Sequence, residues 1–188
     1  MEMDQPTAEH DPYAVLAREH RLIERGLDVL GRICDELRRT RTLNVPAATK
    51  VIDFLRDFAD RTHHLKEEKI LFPAIEARTI FPGCGLTAEH GEARERVKGM
   101  VEAVERWARG DAQAVRLFLQ KARSYIDLLR AHIAKEDGCL AEVVHRTFSG
   151  DERESLTREF EEMERREMGD HAFARFAAIV EALEAEYG

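Results

Sequence analysis

The chain has 188 residues, of which 44% are hydrophobic and 35% are charged, a composition that suffices for one well-buried helical domain. A formal net charge of −8 excludes a general binder of nucleic acid or of an anionic membrane, because both need an excess of Lys and Arg. The three cysteines form no CxxC pair, so we expect a protein of the reducing cytoplasm. The N-terminus has no apolar segment that would mark it for secretion, and no apolar run is long enough to predict a membrane span.

Apolar residues recur at helical spacing through most of the chain and predict four long helices. Thr87 is a plausible N-cap for the third of them. The helices are expected at residues 11 to about 40, 46 to about 78, 87 to about 108, and about 112 to beyond 140. The breaks between them are short, which makes neighbouring helices antiparallel. We therefore expect an all-α, up-down-up-down four-helix bundle over residues 11–146.

A C-terminal extension over residues 149–188 follows the bundle. Leu156, Phe160 and Met163 are spaced by four and three residues, which predicts an amphipathic helix in an otherwise charged segment. A last helix is expected from about 171 to 187. We expect these helices to pack on the bundle or on a second copy of the chain, which would form a homodimer.

The most informative feature is an internal repeat, in which a lone histidine is followed by a His-x-x-x-Glu motif. The lone histidine precedes its motif by 43 residues in the first copy and by 42 in the second. On a helix, residues four apart lie on one face, so each motif presents a nitrogen and a carboxylate together. Four imidazoles and two carboxylates form a ligand set for two ions of iron, manganese or zinc. The six residues are His20, His63, Glu67, His90, His132 and Glu136.

These motifs resemble the hemerythrin-like, or HHE cation-binding, proteins. The resemblance extends from about residue 13 to 146 and rests on EHR at 19–21, HHLKEE at 63–68, LFP at 71–73, EH at 89–90 and HIAKED at 132–137. It implies a four-helix bundle around a non-haem di-iron centre. In that centre Glu67 and Glu136 bridge two iron ions together with an oxo or hydroxo group. The first lone histidine and its motif histidine would bind one iron, and the second pair would bind the other.

Two departures from the oxygen-carrying hemerythrins bear on function. Arg94 stands where those carriers place a further histidine, and the bridge is Glu136 where they have an aspartate one residue later. The resemblance then favours a nearly symmetric, open centre that reacts with or senses peroxide, O2 or NO in oxidative or nitrosative stress. A di-iron sensor or interaction module, and an iron store or donor, remain as alternatives. Whether the protein is an enzyme is left open.

His64 and Glu68 form an overlapping His-x-x-x-Glu motif, so the register has to be decided. The two copies of the repeat align at their Lys, Glu and Leu positions only when His63 matches His132. We therefore expect that His64 and Glu68 do not bind metal and instead support the ligands by contact. Further candidates for such supporting positions are Glu24, Arg94, Tyr13 and Tyr125; the alternative is a solvated position for Glu24 and Arg94 and a place in the apolar core for the two tyrosines.

Overall fold

The computed structural model describes residues 11–80 and 85–187, which form six helices and no strand. The helices are α1 Pro12–Thr40, α2 at 45–76, α3 Leu86–Ala108, α4 Ala114–Thr147, α5 Gly150–Met168 and α6 Ala172–Tyr187. The first four form the bundle, which confirms the predicted all-α, hemerythrin-like fold class. Among the described residues, no helix is both long enough and apolar enough to cross a membrane.

Local sequence signals explain where three of the six helices begin. The Asn44 side chain accepts a hydrogen bond from a backbone N–H of the first turn of α2. Ser149 and Glu152 form a reciprocal capping box at the start of α5. The predicted cap of α3 is wrong, because Thr87 lies inside the helix. Gly85 precedes that helix with φ at 100°, a left-handed conformation that favours glycine.

Helix α2 is not a uniform α-helix. Its α-helical start, Val45–Phe54, is followed by the π-helical segments Leu55–His64 and Glu67–Leu71 and then by a short α-helical end, Phe72–Glu76. In the first π segment the Leu65 N–H reaches the carbonyl of Asp60, five residues earlier. A wider turn rotates the chain less per residue, so adjacent side chains diverge less than on an α-helix. Such turns are often found at functional sites.

The bundle interior contains two apolar clusters with a polar layer between them. On α1, Leu16 belongs to the smaller cluster and Ile23 to the larger one, while His20 lies between them in the chain. The same order recurs on α4, where Leu129 and Leu140 flank the second motif. Packing on both sides therefore fixes the height of the polar layer in the bundle.

The two C-terminal helices pack on the bundle. Helix α6 contributes Phe176, Val180 and Leu183 to the larger cluster. Helix α5 contributes Leu156 and Phe160 to the smaller one. These apolar residues of α5 and α6 are therefore buried against the chain's own bundle.

Candidate metal centre

The polar layer contains two groups of side chains that can each hold a metal ion. In each group the potential ligand atoms all lie within 4.8 Å of one another, and every member is buried. The first group is His20, His63, Glu67 and Glu136, and the second is His64, Glu67, His90 and His132. The structure thus brings all six residues of the repeat together and adds His64 to them.

The carboxylate of Glu67 belongs to both groups, and its two oxygens face different halves of the site. Its Oε1 lies 3.6 Å from Nε2 of His63, and its Oε2 lies 3.4 Å from Nε2 of His90. The histidines come from different copies of the repeat. One carboxylate is therefore placed to join two cations.

Glu136 has a similar position on the opposite helix. Its Oε2 lies 3.1 Å from Nε2 of His20, and its Oε1 lies 3.2 Å from Nε2 of His132. The Nε2 atoms of His90 and His132 are themselves 3.0 Å apart. The nitrogens of both halves therefore converge on the space between the two carboxylates.

A carboxylate lies behind each of the four predicted histidine ligands. The Nδ1 contacts are His20–Asp137 at 2.8 Å, His63–Glu19 at 3.0 Å, His90–Glu68 at 2.8 Å and His132–Glu89 at 2.9 Å. An ionised carboxylate only accepts hydrogen bonds, so Nδ1 carries a proton, and in the neutral ring the lone pair is on Nε2, which faces the interior. This arrangement fixes the ring and strengthens the imidazole as a metal ligand.

His64 lies inside the polar layer, in contact with a predicted ligand. Its side chain is 1% exposed, its ring stacks on that of His90 with centroids 3.8 Å apart, and its Nδ1 lies 3.6 Å from Asp60. The expected register assumed a uniform α-helix, on which His63 and His64 would diverge strongly. The π-helical turn Leu55–His64 reduces that divergence and brings both rings into the interior.

The guanidinium of Arg94 is not a metal ligand, but it holds two carboxylates of the site in place. Its Nε donates to Asp60 at 2.7 Å and its terminal nitrogen donates to Glu68 at 2.8 Å. These carboxylates lie behind His64 and His90. One guanidinium therefore positions the groups behind two rings of the second donor group.

The remaining residues expected in supporting positions differ in how closely they approach the centre. Glu24 pairs with Arg21 at 3.0 Å near the surface. Tyr13 is half-buried beside the smaller apolar cluster. Tyr125 is buried in the larger cluster, where burial raises its pKa, and it lines a cavity together with His64.

The electrostatics of the layer fit a positively charged occupant. Eight side-chain atoms of His20, His63, His64, Glu67 and Glu136 are buried and hydrogen bonded to no described residue. Burial, and then the charge of Glu136, raises the pKa of Glu67 well above its usual range. Burial opposes protonation of His20, but its contacts with Asp137 and Glu136 outweigh it and raise its pKa to about 9. The donor set suits iron, manganese or zinc.

Four residues for which no role was expected support the motif histidines. Lys66 contacts the carboxylate of Glu19, and Lys135 contacts that of Glu89. These carboxylates are the ones behind His63 and His132 in their respective halves. A sequence signal existed, because a glutamate directly precedes each lone histidine and a lysine directly precedes each motif glutamate.

A cavity of about 340 Å³ adjoins the second donor group. His64 and Tyr125 are among its lining residues, together with the apolar side chains of Leu55, Val97 and Val101. Such a cavity suits a small molecule better than a polymer or a large metabolite.

Comparison with known proteins agrees with this geometry. The family model of the hemerythrin HHE cation binding domain matches residues 11–144. Uncharacterised proteins of Mycobacterium bovis and of two strains of Mycobacterium tuberculosis are each 24% identical over 175 residues. These matches cover 92% of this chain and 69% of each relative. No solved structure matches the chain significantly.

Proposed function

Since the chain belongs to the hemerythrin HHE cation-binding family, we propose that its polar layer binds two iron ions and presents them to a small ligand. The ligand is peroxide, O2 or NO, and the role is in handling oxidative or nitrosative stress. The observation that carries the proposal is the presence of Glu67 in both donor groups. Bound iron supplies redox chemistry between its ferrous and ferric forms.

The chain's own residues determine how each ion is held. Glu67, which belongs to both donor groups, would hold the pair together, and Glu136 would assist it from the opposite side. His20 and His63 would bind the first ion, and the histidines of the other donor group would bind the second. We include His64 among the donors of the second ion, because its ring is buried, lacks a hydrogen bond to any described residue and faces the other nitrogens.

The cavity beside His64 favours a small, uncharged molecule as the ligand. Leu55, Val97 and Val101 give it apolar walls, and Arg94, which also lines it, donates hydrogen bonds to the carboxylates of Asp60 and Glu68. O2, NO and hydrogen peroxide are small enough for such a space. We place this function in the reducing cytoplasm, in accordance with the paucity of cysteines.

The experiment is metal analysis and visible spectroscopy of the purified protein after anaerobic reconstitution with ferrous iron. We expect two irons per chain and a ferric absorption band that changes on addition of peroxide or NO. Glu67→Gln should lower the iron content, because it weakens a ligand of both ions. Glu76→Gln is the matched control, since that exposed glutamate lies on the same helix outside the site. Uptake of no more than a trace of metal by the wild type would refute the proposal.

Sensing is a second candidate function, and one contact favours it. Lys66, next to the bridging Glu67, is 2.5 Å from Glu164 of helix α5. A change at the centre therefore has a short route to the C-terminal helices. If the protein is a sensor, amide hydrogen exchange in α5 should differ between iron-loaded and iron-free protein. Identical exchange in the two forms would exclude this function.

A further inference from the structure

The two halves of the centre contain the same three-residue support. In the first half Lys66 contacts one oxygen of Glu19, whose other oxygen is 3.0 Å from Nδ1 of His63. In the second half Lys135 contacts one oxygen of Glu89, whose other oxygen is 2.9 Å from Nδ1 of His132. Each support places a lysine, a glutamate and a histidine in series behind a donor nitrogen.

The two supports differ in their surroundings. The Lys66 side chain is 1% exposed, whereas that of Lys135 is 57% exposed. Lys66 has a second carboxylate partner, Glu164 of α5, at 2.5 Å. For Lys135, Glu89 is the one carboxylate within ion-pair distance among the described residues. The C-terminal extension therefore covers the first support, while the second meets solvent.

Glu164 changes how strongly Lys66 acts on Glu19. A buried ammonium that is shared between two carboxylates attracts each of them less strongly than an ammonium that contacts only one. Glu19 then remains a good acceptor for the Nδ1 proton of His63, and a strong bond there makes the ring a better metal donor. The exposed charge of Lys135 is screened from Glu89 by water, whereas the buried charge of Lys66 is offset by Glu164.

We propose that Glu164 is a positioning residue of the metal centre, acting through Lys66 and Glu19 on His63. The inference rests on the proposed metal function and adds that one ion depends on the C-terminal extension while the other does not. Helix α5 is then a functional part of the metal-binding unit. The metal affinity of the first ion is set in part by a helix that supplies no ligand.

Glu164→Gln tests this, because it keeps the shape of the side chain and removes its charge. The matched control is Glu161→Gln, which makes the same change one turn earlier on α5. Glu161 lines the same cavity of about 620 Å³ as Lys66 and Glu164, and it is exposed. The readouts are the release of iron to a chelator, the Mössbauer spectrum of ⁵⁷Fe-loaded protein and the melting temperature of iron-free protein.

We expect Glu164→Gln to release one of the two irons several-fold faster, which is less than the about tenfold or more that is typical when a group directly behind a ligand is altered. One of the two iron environments in the Mössbauer spectrum should change and the other should not. Glu161→Gln should match the wild type in both measurements. Glu164→Asp retains the charge, so its rate of iron release should be close to that of the wild type.

Two results would overturn the inference. In the first, Glu164→Gln releases both irons at wild-type rates. In the second, both irons are released faster to the same extent and the melting temperature falls, which indicates a general structural role. If the wild type binds no iron, the proposed function fails. If the wild type binds two irons and Glu164→Gln changes neither the iron release nor the Mössbauer spectrum, this inference alone fails.

Discussion

Substitution of His64 by leucine is a sharp test of the centre, because its effects on stability and on metal binding have opposite signs. Leucine fills a similar volume but cannot bind metal. In iron-free protein the change removes two buried ring nitrogens that are hydrogen bonded to no described residue. Burial lowers the pKa of His64 to about 4, so the ring is neutral at pH 7 and no ion pair with Asp60 is lost. An unpaired buried polar group costs about 1–3 kcal/mol, so the variant should gain a comparable stability.

In the iron-loaded protein the same substitution should weaken binding of the second ion. It removes one of the three nitrogens in that group and none from the first. Altering a group that only supports a ligand typically costs ten- to a hundredfold in affinity, about 1.4–2.7 kcal/mol. Loss of the donor itself should cost at least the lower value.

Urea unfolding of iron-free protein measures the first effect, and anaerobic titration with ferrous iron measures the second. His145→Leu is the control, since that histidine is half exposed and pairs with Asp11 away from the site. If His64→Leu bound both irons with wild-type affinity and destabilised the iron-free protein, His64 would be an ordinary core residue. The uniform α-helical register expected from the repeat would then be the better description of the ligands.

Three other changes probe packing, proton competition and support of the rings. Gly26→Ala should cost about 1–3 kcal/mol of unfolding free energy in denaturant, since the new Cβ would lie 2.3 Å from the Phe54 ring. Gly99→Ala meets only a flexible lysine chain and should cost much less; equal costs would contradict this packing. Because the pKa of His20 is raised to about 9, its proton competes with metal, so iron affinity should rise with pH up to about 9 and fall on acidification. Titrations that give a pH-independent affinity would contradict that value. Arg94→Met frees the two carboxylates it holds, so chelators should remove one iron about tenfold faster and leave the other unchanged; equal acceleration of both would count against the geometry.

The sequence was sufficient to predict the helices and the six residues of the repeat that meet in the interior. Helical periodicity is local, so it survives in a single sequence without knowledge of the partners. The repeat added long-range information, because two similar halves have to face each other across one bundle. His90 could be singled out only in this way, since it has no acidic residue four positions later, and His20, which has Glu24 there, owes its assignment to the repeat as well.

The position of His64 could not be predicted in the same way. Periodicity arguments assume a constant rotation per residue, and the π-helical segments of α2 break that assumption at the site. The doubled histidine, which gives two overlapping His-x-x-x-Glu motifs with Glu67 and Glu68, was the available signal. On a uniform α-helix this doubling implies a choice between two registers, whereas the wider turn lets His63 and His64 both face inward.

The groups behind the ligands were partly predictable. Glu19 and Glu89 recur at equivalent places in the repeat, and that recurrence is as strong as the one that identified the ligands. Glu164 is different, because it lies 98 residues from Lys66 and has no counterpart in the repeat. Its contact depends on how α5 crosses the bundle, which no local pattern encodes.

The two halves of the centre are therefore made unequal by features that lie outside the repeat. His64 adds a nitrogen to the second half through the geometry of α2, and Glu164 covers the first half through the C-terminal extension. Were the repeat alone responsible, the two irons would occupy equivalent environments and give one Mössbauer signal. Two signals in the wild type, with His64→Leu altering one and Glu164→Gln altering the other, would assign each inequality to its source.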